Sequence, residues 1–272
     1  MRFVDTHCHI HEAAYLEQLR TETKKRYQKA GSPSADDMIF NAKAVDVDRM
    51  ICVGTTLEDS EVAVDFVKSR PNTWATIGIH PHEAKDYVGN EKLLKRFAAL
   101  AKKPKVVGVG ECGLDYYYNH SMKEDQEAIL RFQIELALEH DLPMVFHVRD
   151  AFEDFWPIFD SYKGIRGIIH SFTATKKELD QILDRGLYVG LNGIMTFTTS
   201  KEQIEAAKAV PISKMVLETD APFLTPTPYR GTICEPKHTR VTAEFLAELR
   251  GEPLDQLADR TTENAESVFG LR

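Results

Sequence analysis

Long apolar runs are missing from this sequence: no stretch approaches the roughly 20 residues of a membrane span, so no membrane partner is expected. The opening MRFVDTHCHIHE has no basic segment leading into an apolar one, so no secretory signal is expected and the cytoplasm is the default location. Cysteine is scarce. Cys8, Cys52, Cys112 and Cys234 form no C-x-x-C pair, and a chain of 272 residues needs no staples, so free thiols in a reducing compartment are expected. Positive charge is also short, with 34 Lys and Arg against 42 Asp and Glu and a net charge of −8. No global basic field draws in a polyanion. Any nucleic acid must be held by local basic groups and bound metal.

Internal repeats and low-complexity linkers are absent as well, so residues 1–272 read as one domain with no obligate protein partner in evidence. The content, 43% hydrophobic and 28% charged, is that of a globular protein and sets aside disordered and fibrous classes.

Short apolar runs alternate with longer amphipathic stretches throughout. The runs are Phe3–Val4, Met50–Val53, Trp74–Ile79, Val106–Val109, Met144–Phe146, Ile168–Ile169, Leu187–Leu191 and Met215–Leu217. They lack clean alternation, as buried parallel strands do. Helical spacing marks Leu57–Ser69, Ser121–His140 and Lys176–Arg185, the last ending at Gly186. Thr239–Phe269 reads as two helices split near Gly251 and Pro253. About eight strand–helix units over roughly 250 residues suggest an α/β chain folded as a (β/α)8 TIM-type barrel, single domain; a doubly wound sheet uses the same local units. The stretch around 20–48 is long, with a polar break at Gly31-Ser32-Pro33-Ser34, and reads as an extended first βα excursion near the barrel mouth.

Residues able to do chemistry fall at the ends of these runs: His7 and His9 after the first, Glu111 after the fourth, His147 and His170 closing the fifth and sixth, Asp220 after the eighth. In a barrel those ends share one face. His7 and His9, two apart in an extended segment, point the same way while Cys8 points elsewhere. Four imidazoles with two carboxylates suit zinc, manganese, iron or cobalt, and magnesium less well. Six ligands exceed one closed zinc site, so two divalent ions per chain are expected, with one carboxylate bridging. An H-x-H alone is a weak signal, and a lone Glu or His after a strand is more often a hydrogen-bonded structural residue. The shared topological position is what favours metal.

These segments resemble the TatD family of metal-dependent deoxyribonucleases: Thr6-His7-Cys8-His9, Gly78-Ile79-His80-Pro81-His82, Gly110-Glu111-Cys112-Gly113-Leu114-Asp115, Phe146-His147-Val148-Arg149-Asp150-Ala151, His170-Ser171-Phe172 and Leu217-Glu218-Thr219-Asp220-Ala221-Pro222. Tyr229-Arg230-Gly231, Glu235-Pro236 and Asn264-Ala265 extend the likeness over essentially the whole chain. The resemblance implies an amidohydrolase-type barrel in which His7, His9, Glu111 and Asp220 hold one divalent ion. Glu111, His147 and His170 would hold a second, with Glu111 bridging. Two departures stand out. The segment from about Thr21 to Val47 is longer than is usual in the family, and Cys234 stands where the family often has Asn.

The activity so implied is hydrolysis of DNA, single-stranded or at ends, by a metal-activated water. Asp220, Glu111 and His80 are the expected catalytic residues: Asp220 as ligand and proton acceptor, His80 as donor to a phosphate oxygen or leaving group. His80 read plainly is a histidine fixed by the Pro81 turn. His82, Arg149 and Arg230 are expected substrate contacts, with an ion pair to Asp150 or Asp115 as the bland alternative for Arg149. Asp115 and Glu218 are expected to orient ligands. Tyr116, Tyr117 and Tyr118 are candidates for stacking on bases or for simple packing. The same metals would serve against a carboxylic ester or amide, including an aminoacyl ester on tRNA. A non-enzymatic binding module is the remaining alternative, and six intact ligand positions argue against it.

Overall fold

A computed structural model of the chain describes residues 1–19, 21–118 and 120–271. Eight strands appear among them: β1 (Phe3–Cys8), β2 (Val47–Val53), β3 (Thr73–Ile77), β4 (Val106–Asp115), β5 (Met144–Arg149), β6 (Gly167–Ile169), β7 (Tyr188–Leu191) and β8 (Met215–Leu217). The sheet takes them in sequence order, with helices between, which is the (β/α)8 barrel class.

By contacts the chain divides into two compact units. The first holds Met1–Cys52 and Ser171–Ser267. In it β1 pairs in parallel with β2, and β7 with β8. Its helices are α1 (Thr21–Lys29) and α2 (Ala35–Lys43) before β2, then α7 (Lys176–Asp184), α8 (Lys201–Ala209), α9 (His238–Arg250) and all but the last two residues of α10 (Leu254–Phe269). The polar break between α1 and α2 is built from turn chemistry. Gly31 and Ser32 take φ of 80° and 52°, and Ser34 and Asp37 cap α2 reciprocally. Arg20, at the edge of this excursion, lies outside the described residues. Gly186 and Gly251, at φ 73° and 65°, close α7 and α9 where a Cβ would be strained.

The second unit holds Val53–His170 and Val268–Leu271. Within it β3, β4, β5 and β6 pair in parallel in that order. Its helices are α3 (Leu57–Lys68), α4 (Glu91–Ala98), α5 (Lys123–Glu139) and α6 (Phe152–Asp160). All five residues of β3 are buried, which explains the missing alternation. Ile77, Ile79, Phe97, Leu57 and Ile129 pack one core between β3 and its covering helices. Each such side chain contributes about 2 kcal/mol by burial.

Strand ends differ from the sequence reading. β1, β4 and β5 run on to Cys8, Asp115 and Arg149, so His7 and Glu111 lie inside strands rather than after them, and His147 lies within β5 rather than closing it. Polar residues continue the ladder there because it still offers backbone partners, and hydrophobicity alone does not mark that extension. β3 stops two residues early, at Ile77. At Gly78 the chain passes so close to Glu111 that a Cβ would stand 2.3 Å from its backbone nitrogen.

Candidate metal centre

In the first unit the donors come from both ends of the chain. His7 Nε2 lies 3.3 Å from His9 Nε2. Asp220 Oδ1 stands 3.2 Å from His9 Nε2 and 3.7 Å from His7 Nε2. Two imidazole nitrogens this close to each other and to a carboxylate share one proton or turn both lone pairs on a cation, so the donor set fits a metal ion. Cys8, between them, is buried with Sγ 3.4 Å from the Ile51 carbonyl. Burial holds its thiol well above its ordinary range and keeps it out of the set.

The backbone beneath is pinned. The Asp220 N–H donates to the His7 carbonyl at 2.8 Å and the His9 N–H to the Ala221 carbonyl at 2.7 Å. Asp220 itself adopts φ 58°, a sparsely populated region for a residue with a Cβ. Asp5 braces the same corner. It accepts the His7 and Thr219 N–H groups at 3.3 and 3.0 Å and the Thr219 hydroxyl at 2.6 Å. Burial pushes its carboxyl up and those bonds pull it down, with burial prevailing.

In the second unit three imidazoles converge on one carboxylate oxygen. Glu111 Oε1 lies 2.8 Å from His147 Nδ1, 3.0 Å from His170 Nε2 and 3.4 Å from His80 Nε2. Burial opposes ionisation of Glu111, but His170, His80 and His147 outweigh it and hold the carboxyl well below its usual range. Donor atoms of His80, Glu111 and His147 fall within 4.8 Å of one another, a spacing suited to a divalent ion.

Behind this cluster stands Asp115. Its Oδ2 faces His147 Nε2 at 2.9 Å and His82 Nε2 at 3.0 Å. Its Oδ1 accepts the Tyr117 and Tyr118 N–H groups at 3.0 and 3.1 Å. Burial works against the Asp115 charge, yet these bonds hold its carboxyl well below the ordinary value. Burial lowers His147, but Asp115 and Glu111 reverse that and raise it. His80 goes the other way: burial brings it down to about 4, so it is neutral at working pH. Its Nδ1 accepts the His82 N–H at 3.2 Å, which leaves the ring proton on Nε2.

The remaining predicted residues fall as follows. Glu218 is buried in the first unit, where its Oε1 accepts from the Ser171 N–H at 2.7 Å and from Asn192 Nδ2 at 3.1 Å. Arg149 makes no carboxylate ion pair among the described residues. Its guanidinium sits 4.0 and 4.8 Å from the rings of Tyr117 and Tyr118, which are 58% and 50% exposed. Tyr116 lies under Lys123, 3.8 Å from its ring. Arg230 spreads over Phe197 at 3.7 Å and donates Nη1 to the Thr225 carbonyl at 2.7 Å. Cys234 is buried, its Sγ 3.9 Å from the Thr219 carbonyl. Sequence reasoning missed Asp5, Asn192 and the place of His80 in the Glu111 cluster. Asp5 carried one usable signal, a carboxylate inside an apolar strand two residues before His7.

A barrel with histidine and carboxylate donors on and beside its strands fits a metal-dependent hydrolase. The chain belongs to the TatD family: the family model described as TatD related DNase matches residues 4–270. The uncharacterized metal-dependent hydrolase YabD of Bacillus subtilis is 34% identical over 269 residues, 98% of each chain. The 3'-5' ssDNA/RNA exonuclease TatD of Citrobacter koseri is 33% identical over 243 residues, 87% of this chain and 93% of its own. Among solved structures, a TatD homolog from Escherichia coli K12 superposes with a TM-score of 0.85 at 22% identity, covering 100% of this chain and 99% of that one. A TatD family hydrolase from Entamoeba histolytica gives 0.87 at 23% identity with the same coverage.

Proposed function

We propose that this chain hydrolyses phosphodiester bonds of single-stranded DNA, working at ends, with two divalent ions. The observation that carries the reading is Glu111 Oε1 ringed by three imidazoles. Both units then act as one barrel domain, 1–272, whose strand ends share a face. His7, His9, Asp220 and Glu111 would hold one ion; Glu111, His147 and His170 would hold the other. Zinc, manganese, iron and cobalt suit these donors, and magnesium suits them less. Such an ion supplies Lewis acidity and brings the pKa of water towards neutrality.

Around that chemistry the chain's own groups divide the work. Asp220 Oδ1 accepts the proton of the attacking water. Neutral His80 donates from Nε2 to a phosphate oxygen. Asp115 and Glu218 orient the groups that surround them. Arg149 with Tyr117 and Tyr118 forms a cation–aromatic platform for a phosphate and its base, and His82 and Arg230 complete the substrate contacts. The reading places the enzyme in the cytoplasm, where the four thiols stay free; no helix among the described residues is long and apolar enough to cross a membrane.

The test is a cleavage time course on end-labelled single-stranded DNA, with and without chelator, resolving product lengths. Stepwise shortening that stops with chelator is expected. Turnover of carboxylic esters without DNA cleavage under any divalent metal would replace the nuclease reading. Asp220→Asn with normal metal content and normal turnover, or His80→Ala cutting at the normal rate, would remove the role given to each.

A further inference from the structure

The first unit carries a groove that the catalytic reading does not use. It has a volume of about 870 Å³ and lies between α1 and the stretch from Tyr229 to His238. Helix α1 comes from the lengthened excursion after β1, and it puts Lys25, Arg26 and Lys29 on the groove. Among the described residues none of the three has a carboxylate within ion-pair range. Of the lining carboxylates, Glu22 sits in the first turn of α1, where the helix dipole favours it. Glu235 is engaged by Lys237 Nζ at 2.5 Å and Asn41 Nδ2 at 2.9 Å. The groove therefore offers three unneutralised cations.

It also offers a ring. Tyr229 is 48% exposed and rests against the buried His238, centroids 5.2 Å apart. A run of cations beside an exposed aromatic is the pattern that single-stranded nucleic acid recognises, phosphates on the first and a base on the second. Lys25 and Lys29 are one helical turn apart, about 6 Å along the axis, so they can meet successive phosphates. Two contacts tie the groove's walls to the segment that follows Asp220. Cys234 N–H donates to the Pro222 carbonyl at 3.2 Å, and the Arg26 guanidinium stands 5.2 Å from the Phe223 ring. Pro222 and Phe223 directly follow Asp220 and Ala221.

We infer that this groove holds the sugar–phosphate backbone of a single-stranded polynucleotide beyond the nucleotide being cleaved, with Lys25, Arg26 and Lys29 on phosphates and Tyr229 under a base. The inference rests on the nuclease reading. It makes the excursion a selector for substrate length: long strands reach α1 and short ones do not.

The metal-loaded enzyme is assayed on a dinucleotide and on a long oligothymidylate across a range of salt. Binding of a phosphorothioate-linked long oligomer is followed by fluorescence anisotropy. The double variant Lys25→Ala/Lys29→Ala is compared with Lys92→Ala/Lys95→Ala, which removes the same charge from exposed positions on α4. The first variant should raise KM for the long oligomer with kcat unchanged and leave the dinucleotide untouched. The slope of log affinity against log salt should shrink by roughly 1.4, or 0.7 for each phosphate no longer engaged. Tyr229→Ala should weaken the long oligomer about tenfold, one base stacked, with little change in the salt slope. An unchanged KM and salt slope in the Lys25/Lys29 variant, with wild-type enzyme cutting both substrates, overturns the groove and leaves the nuclease intact. Equal losses in both double variants also overturn it, as does preferential capture of polyglutamate over the oligomer. A wild-type enzyme that neither binds nor cuts either substrate overturns the nuclease reading itself.

Discussion

Asp115 Oδ2 and His147 Nε2 lie 2.9 Å apart, and that bond turns the other ring nitrogen, Nδ1, towards Glu111 Oε1 at 2.8 Å. The imidazole is thereby held between two carboxylates, one of which also fixes the Tyr117–Tyr118 turn.

Asp115→Asn keeps the size of the side chain and weakens its hold on His147. Activity should fall about 10- to 100-fold, with lower metal affinity, as when a partner behind a ligating histidine is lost. Metal per chain and kcat are the measurements, with circular dichroism to show a retained fold. A variant with normal metal and normal kcat would deny Asp115 its positioning role.

Glu111→Gln removes the negative charge that three imidazoles share. It should lose more than the roughly 100-fold reached by an orienting partner. Elemental analysis should find close to two ions per chain in the wild type and fewer in the variant. Chelator should abolish wild-type activity, and manganese, zinc or cobalt should restore it. Activity that survives thorough chelation would contradict the metal-centre reading.

Gly78→Ala inserts a methyl group 2.3 Å from the Glu111 nitrogen and 2.4 Å from the Gly110 carbonyl carbon. These are backbone atoms and cannot swing aside. Overpacking of this kind costs about 3 kcal/mol, and the shift it forces reaches Glu111 directly. Urea denaturation should show the loss, with activity falling further than stability alone explains. A variant matching wild type in both would mean that the close approach relaxes freely.

His238 is buried with its Nδ1 accepting the Glu235 N–H at 3.0 Å. Burial, with Lys237 adding to it, brings its pKa from 6.5 down to about 4. The folded state thus binds fewer protons than the unfolded one in that window. The contribution is complete above pH 6.5 and is lost as pH falls towards 4, up to about 3 kcal/mol. Denaturation at both pH values, in wild type and His238→Gln, should show a smaller acid loss in the variant. An equal acid loss would assign the effect to other groups.

Much of the barrel was legible because buried strands and amphipathic helices leave different periods in the sequence. The two-helix ending split at Gly251 and Pro253, and the stop of α7 before Gly186, follow from glycine's tolerance of positive φ. Strand ends were less legible. Glu111 and His147 continue a ladder that hydrophobicity does not mark. The site was legible as residue types at strand ends. What those residues face was not. Arg149 was expected to contact phosphate, with a carboxylate ion pair as the alternative; among the described residues it makes no such pair and lies on two tyrosine rings, a pairing across the β5 terminus and the turn after β4 that no local spacing encodes. Asp5 was overlooked because its partners, Thr219 and His7, are 214 residues and two residues away.

That Asp5–Thr219 bond carries a consequence for biosynthesis. The donor corner of the first unit is closed by bonds between β1 and the segment after β8, so His7 and His9 wait on the ribosome until nearly the whole chain has emerged. Until then nothing holds Asp220 beside them, and a long loop-closure entropy must be met before the corner forms. Products terminated before Thr219 would carry His7 and His9 without the Asp220 carboxylate and without the Asp5–Thr219 bond that braces them.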